Sequence, residues 1–264
     1  AWRGLDRLVR TLELDESLQV FVIDASSPGL SADFAAAPDL SESAMHRLLI
    51  GEAADAPWSL LVCANPCGRR QEDAALLARL GTLVHTAGAA VVTGIDLRVW
   101  DAGPPSPEDQ TAWSALRSSP AAGAIAVGTP GILLRLPYGE TTAPIEGFAF
   151  SEQTSPPEVG RYLWGSAALA LAELLGQGYT AAGGWDFSPG EASSITDLPI
   201  HAFMQDGEWQ ETPVAQVRMS EGRLDELLRE GLVPIVSVRG HGEARVPRIQ
   251  SIASPPAALT GRWR

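Results

Sequence analysis

Apolar residues along this chain recur with two different periods, and the way the periods alternate predicts a layered fold. Leu5, Leu8, Val9 and Leu12 fall at helical spacing between Trp2 and Glu13, which predicts an opening helix with one buried stripe. Leu18-Gln-Val-Phe-Val-Ile-Asp24 is short, β-branched and followed by Ser26-Ser27-Pro28-Gly29, the pattern of a strand and its exit turn. A helix is predicted over residues 41–54, with Ser41 as N-cap and Ala44, Leu48 and Leu49 facing inward. The continuous run from Trp58 to Ala64 predicts a strand covered on both faces. Ala74, Leu77, Leu80, Leu83 and Val84 then mark a long helix over residues 70–86, and Ala89 to Gly94 reads as another buried strand. Strand, helix and strand in succession make a βαβ unit, whose right-handed crossover sets the two strands parallel.

After the loop at Pro104 to Pro107, Trp113 and Leu116 predict a helix over residues 108–118, and Ala124 to Gly128 a further strand. Residues 131–157 are rich in Pro, Gly and Thr without a sustained period, which predicts an irregular excursion over the surface. Leu163, Ala167, Leu171, Leu174 and Leu175 place an apolar helix over residues 161–177, ended by Gly183-Gly184. Beyond it come a predicted strand (213–218), helix (221–230), strand (232–238) and strand (248–252), then a loosening tail at Ser254-Pro255-Pro256. The expected fold is therefore α/β: a mixed, largely parallel sheet flanked by helices, with a long irregular excursion and a smaller C-terminal α+β part. Residues 1–130 and 131–264 are expected to form two subdomains.

Composition narrows the function more than the fold. The chain has 264 residues, 45% hydrophobic and 19% charged, enough to bury a sizeable core. No apolar run reaches the roughly 20 residues a membrane helix requires, so membrane insertion is not expected. The opening Ala1-Trp2-Arg3-Gly4-Leu5 lacks the order of a secretory signal, which points to a cytoplasmic protein. A net charge of -13 repels nucleic acid and anionic lipid. Arg69-Arg70 and Arg245, Arg248, Arg262 and Arg264 read as solvated surface with the option of an acidic partner. Cys63 and Cys67 have the wrong spacing for a redox CxxC pair and lack a second pair for zinc, leaving two thiols at the end of a buried strand.

Catalytic chemistry is sought where strands of a parallel sheet meet helices. Asn65-Pro-Cys-Gly-Arg69 occupies such a joint but lacks a phosphate-loop Gly-Lys-Ser/Thr ending, and Gly128-Thr-Pro-Gly131 leads into a loop. His46, His85, His201 and His241 form no metal-binding pattern, and the sequence has no Gly-x-Ser-x-Gly elbow. Paired carboxylates such as Asp15-Glu16 and Glu72-Asp73 sit at helix ends, where solvation or capping accounts for them. Neither metal nor cofactor is expected. The alternative is an α/β enzyme whose unrecognised site combines the Asn65-to-Arg70 joint with Arg135, Tyr138 and Glu146. More distinctive is the concentration of Arg135, Tyr138, Glu146, Phe148 and Phe150 in a segment without periodicity. It predicts a packed Ω-like loop, fixed by an arginine-carboxylate contact and aromatic anchors.

Three blocks in this region carry a resemblance. Arg135-Leu-Pro137-Tyr138-Gly139, then Pro144-Ile-Glu146-Gly-Phe148-Ala-Phe150, then Tyr162-Leu-Trp164-Gly-Ser-Ala-Ala-Leu-Ala170 resemble the central signature of the large subunit of the type VI secretion contractile sheath, the TssC/VipB/EvpB/ImpC family. Trp2-Arg-Gly-Leu5, Trp113-Ser-Ala-Leu-Arg117, Gly183-Gly-Trp185, Leu198-Pro-Ile-His201 and the segment from Pro213 to Glu230 are similar to further family elements, so the likeness covers nearly the whole chain. Family members extend beyond both ends, where strands are handed between subunits, and Asn65-Pro-Cys-Gly-Arg69 replaces a polar family segment. The resemblance implies a structural protein, either a contractile subunit or a shortened cap, adaptor or baseplate paralogue. Its implied partners are a small TssB-like sheath subunit, further sheath or baseplate subunits and an inner tube of Hcp.

Overall fold

The computed structural model describes residues 1–12, 18–51, 57–140, 142–152, 158–182 and 193–261. Its helices are α1 (Trp2–Leu12), α2 (Ser27–Ala36), α3 (Ala44–His46), α4 (Gln71–Thr86), α5 (Leu97–Trp100), α6 (Pro107–Arg117), α7 (Ala167–Ala182) and α8 (Glu221–Arg229). Its strands are β1 (Leu60–Cys67), β2 (Ala90–Ile95), β3 (Ile125–Thr129), β4 (Ile132–Arg135), β5 (Leu163–Gly165), β6 (Ser193–Ile195), β7 (Ala202–Gln205), β8 (Glu208–Glu211), β9 (Leu232–Pro234), β10 (Val236–Ser237) and β11 (Ala244–Val246).

The centre is a four-stranded sheet in the order β1-β2-β3-β9, parallel throughout. Period-two alternation divides its side chains between two cores. Ala90, Val92, Ala126 and Val233 face α7, where Leu171, Leu174 and Leu175 meet them. Val91, Ile125, Val127 and Leu232 face the opposite layer, built by α4, α6 and α8 through Leu77, Trp113, Leu116 and Leu227. Both cores span the chain, since β9 and α7 come from beyond residue 130 and complete a layer begun by the preceding residues. Burial on both faces explains why β2 and β3 read as unbroken apolar runs.

Local sequence accounts for the helix ends. Ser106 Oγ accepts from Asp109 N at 3.1 Å, with Pro107 in the first turn of α6. Ser220 caps α8 in the same way through Arg223 N. Helix α1 is tied across the molecule: Arg7 donates from Nε (2.9 Å) and Nη2 (2.8 Å) to the buried Glu173 carboxylate of α7. It donates further to Thr196 O at 2.8 Å and Asp197 O at 3.3 Å.

Several expectations are corrected. Leu18 to Asp24 has no regular secondary structure, and Ser26-Ser27-Pro28-Gly29 starts helix α2 instead of breaking a strand: Ser26 Oγ caps it from Gly29 N, with Pro28 in the first turn. The helix predicted from Ser41 starts at Ala44 with Ser43 as its cap, followed by a wider turn over Arg47–Gly51; its predicted last residues lie outside the described ones. The strand β1 is half-buried at the sheet's edge, not covered on both faces. The predicted helix at 161–177 starts later, because Leu163 to Gly165 form β5 against β4; it ends at Ala182, and Gly183-Gly184 lies outside the described residues. Residues 213–218 form a single bridge, Ala215 to Ile132, beside β4, and 248–252 a single bridge, Gln250 to Ala258. The tail is packed: Thr260 N donates to Gly123 O at 2.8 Å, Ser254 N to Arg117 O at 2.9 Å, and Leu259 is fully buried.

Candidate functional site

The blocks around Arg135 fold into one braced surface loop, built outward from β4. Strand β4 pairs antiparallel with β5, setting Leu133 opposite Trp164, and Leu133 is fully buried. From this anchored strand Arg135 projects its guanidinium back over the loop. It donates to both oxygens of Glu152, at 2.8 Å and 3.1 Å, and lies 3.8 Å from the centre of the Tyr138 ring. Glu152 also accepts from Tyr138 N at 2.6 Å, and Glu152 N returns a bond to Tyr138 O at 2.9 Å. Gly139 N bonds Ala143 O within the loop, and Arg3 of α1 reaches the Tyr138 hydroxyl at 3.5 Å.

The predicted arginine-carboxylate clamp therefore exists with a different acid. Glu152 is the partner, while Glu146 is exposed on the outer turn near Pro144. Pro137 follows the clamp at the bend, where its carbonyl accepts from Thr142 Oγ1. Phe150 packs edge-on against Tyr138 at 6.3 Å and against Phe148 at 6.2 Å, leaving Phe148 65% and Phe150 47% exposed. Tyr162 and Trp164 belong to a separate cluster in which Tyr162 and His201 are buried and Trp164 and Phe203 half-buried: Tyr162 bonds His201 Nδ1 and packs on Trp164, and His201 packs on Phe203 of β7. Burial pushes the Tyr162 hydroxyl up to about 12 and His201 down from its ordinary value. Both groups are thus neutral near pH 7, and a single hydrogen bond joins the Tyr162 hydroxyl to the ring nitrogen.

Arg135 holds the Glu152 carboxyl below its ordinary range chiefly through their hydrogen bond. A depressed folded pKa stabilises above the unfolded value of 4.5 and loses that contribution as pH falls through the folded value. Arg135→Ala is expected to lower global stability by less than about 1 kcal/mol, as half-exposed ion pairs do. The same change should speed proteolytic cleavage of residues 138–152 several-fold at pH 7, and acidifying the unsubstituted chain through the lowered folded pKa of Glu152 should have a similar effect. Limited proteolysis at neutral and acid pH, read by mass, measures both.

The two halves of the enzyme alternative do not meet. Asn65, Pro66 and Cys67 line a cleft of about 1120 Å³ whose walls are mostly apolar and include none of Arg135, Tyr138 or Glu146. At the joint itself, carboxylates already fill the start of α4: Asp73 accepts from Arg70 N at 3.1 Å and Asp109 from Gln71 N at 2.7 Å. An incoming phosphate would meet those negative charges. Burial also pushes the Cys63 thiol up to about 11 and Cys67 to about 12, away from the thiolate form that nucleophilic chemistry uses.

Two surface features escaped the reading of the sequence. The hairpin β7–β8 sets Met204 opposite Trp209, 56% and 71% exposed, beyond a two-residue turn at Asp206-Gly207 with positive φ at both positions. Asp-Gly between alternating residues is the signal that would have found it. Around the cleft, Trp2, Phe21 and Val22 are 76%, 63% and 65% exposed. Large apolar side chains clustered on a surface mark contact with other molecules.

Among the described residues no helix is long and apolar enough to cross a membrane, and no group of three acidic, His or Cys side chains is placed to hold a metal. Comparison with known proteins identifies the fold's lineage. Residues 1–102 and 105–253 match the family described as EvpB/VC_A0108, tail sheath N-terminal domain. The type VI secretion system sheath protein TssC1 of Pseudomonas aeruginosa is 27% identical over 277 residues, which takes in 97% of this chain and 56% of that protein. The chain thus spans little more than half the length of its relative. With the match running through both cores and the braced loop, this chain belongs to the VipB/EvpB family of type VI secretion tail sheath proteins.

Proposed function

We propose that this chain is the N-terminal body of a contractile sheath large subunit, acting in the cytoplasm as a mechanical component and not as a catalyst. The observation that carries the reading is the family match along nearly the entire chain. In this reading the chain pairs with a small TssB-like subunit, and the pairs join further sheath or baseplate subunits around an Hcp tube. Parallel strands packed on both faces suit a part that transmits force without deforming. Exposed Phe148, Phe150, Met204 and Trp209 supply apolar contacts for neighbours.

The signature residues Arg135, Pro137, Tyr138, Gly139, Pro144, Glu146, Phe148, Phe150, Tyr162 and Trp164 then have a structural role. The Arg135–Glu152 clamp holds Phe148 and Phe150 at the surface, while Tyr162 and Trp164 anchor the return of the chain to α7. Co-expression with a small sheath subunit from the same organism is the test. A complex that survives purification supports the proposal, and separate elution of the two proteins at every concentration overturns it.

A further inference from the structure

The central sheet has a regular order with a vacant first position. Its strands β1, β2, β3 and β9 follow one another in space as they do in sequence, all parallel. The helices that precede β2, β3 and β9 (α4, α6 and α8) lie on the same face. Right-handed crossovers that advance in one direction produce this arrangement. Ahead of β1 the chain repeats the unit once more: Leu18 to Asp24, then α2 and α3, whose Phe34 and Met45 pack on Leu80 and Leu83 of α4, on that same face. The position such a unit's strand takes is the outer edge of β1. Among the described residues that edge has no partner strand, since β1 pairs with β2 alone.

Side-chain placement agrees independently. In an extended strand Leu18, Val20 and Val22 point to one side of the sheet and Phe21 to the other. Leu18 already packs against the buried cluster of Leu8, Leu12, Leu169 and Ala172 on the α7 side, the same cluster that Leu60, Val62 and Ala64 of β1 pack against. Phe21 already meets Trp58 at 5.2 Å, next to the α4 side where Trp58 and Leu61 pack. The segment's backbone nevertheless makes no ladder to β1: among the described residues its one bond is from Ala25 N to Ile23 O. Between the two runs lies the apolar cleft of about 1120 Å³.

We infer that Leu18–Asp24 is a strap that closes onto β1 as the fifth parallel strand, filling the cleft. Closure buries Val22 and Phe21 and covers an edge that would otherwise template pairing with other chains. Hydrogen exchange of the chain alone, resolved to β1 and to residues 18–24, tests this. Closure slows the outward amides of β1, together with alternate amides of the strap, on the order of a hundredfold or more relative to unstructured chain. Proline removes a ladder donor. Because alternate amides face β1, either Val20→Pro or Phe21→Pro should strip that protection while β2 and β3 keep theirs. Outward β1 amides exchanging at the free-chain rate in the unsubstituted protein would overturn the inference, and that measurement decides by itself should a proline unfold the sheet. Protection indifferent to both prolines would overturn it too. So would protection of β1 that appears only with an added small sheath subunit while residues 18–24 exchange freely, which would assign the edge to a partner's strand.

Discussion

Arg7→Ala is expected to destabilise this chain by about 3 kcal/mol, because it strands a buried carboxylate. Glu173 is 2% exposed, and its charge is met by two guanidinium hydrogen bonds at 2.8 Å and 2.9 Å. Burial pushes its pKa above the ordinary value even with Arg7 pulling the other way. A carboxyl whose folded pKa is raised favours the fold at low pH and loses that contribution as pH rises through the folded value. Without Arg7 the group protonates still more readily, so the deficit should be largest at neutral pH and shrink towards pH 4.5. Adding Glu173→Gln to Arg7→Ala should recover part of the loss by removing the charge, and Arg7→Met with Glu173→Leu should come close to the parent. Urea denaturation midpoints across pH measure this series; an Arg7→Ala deficit that grows on acidification would contradict the assignment.

Leu171→Ala should cost about 3 kcal/mol, chiefly through the cavity it leaves between α7 and the sheet. Leu171 is fully buried, and a side chain on Gly128 of β3 would come within 2.9 Å of its Cδ1, so the helix and strand are already at closest approach. A sheet held this tightly cannot collapse to fill a void. The melting temperature should fall by roughly 10 °C. Val9→Ala on the outer face of α1, 39% exposed, should shift it by no more than about 2 °C.

What the sequence disclosed follows from which interactions are local. Unbroken apolar runs revealed β2 and β3, because a strand covered on both faces leaves no polar alternation, and helical spacing revealed α4 and α6. Ser26-Ser27-Pro28-Gly29 misled because the same residues serve as breaker or as N-cap with proline in the first turn. Only packing of Phe34 against α4 decides between them. In the braced loop the aromatic anchors and the need for a carboxylate were legible, but with no period to set distances, Glu146 and Glu152 could not be ranked. Arg7 and Glu173 lie 166 positions apart, and no local pattern links them. The hairpin's signal is local, an Asp206-Gly207 pair that takes positive φ at both positions. Family membership was legible in the ordered blocks around Arg135, Phe148 and Tyr162, whose residue types follow one another along the chain.

If this body builds a sheath wall with a small subunit, light scattering on the co-expressed pair reads the assembly out. One species containing both proteins in equal copies is expected, with Arg135→Ala weakening it. Two species, each with the mass of a single protein and unchanged on mixing at high concentration, would contradict it.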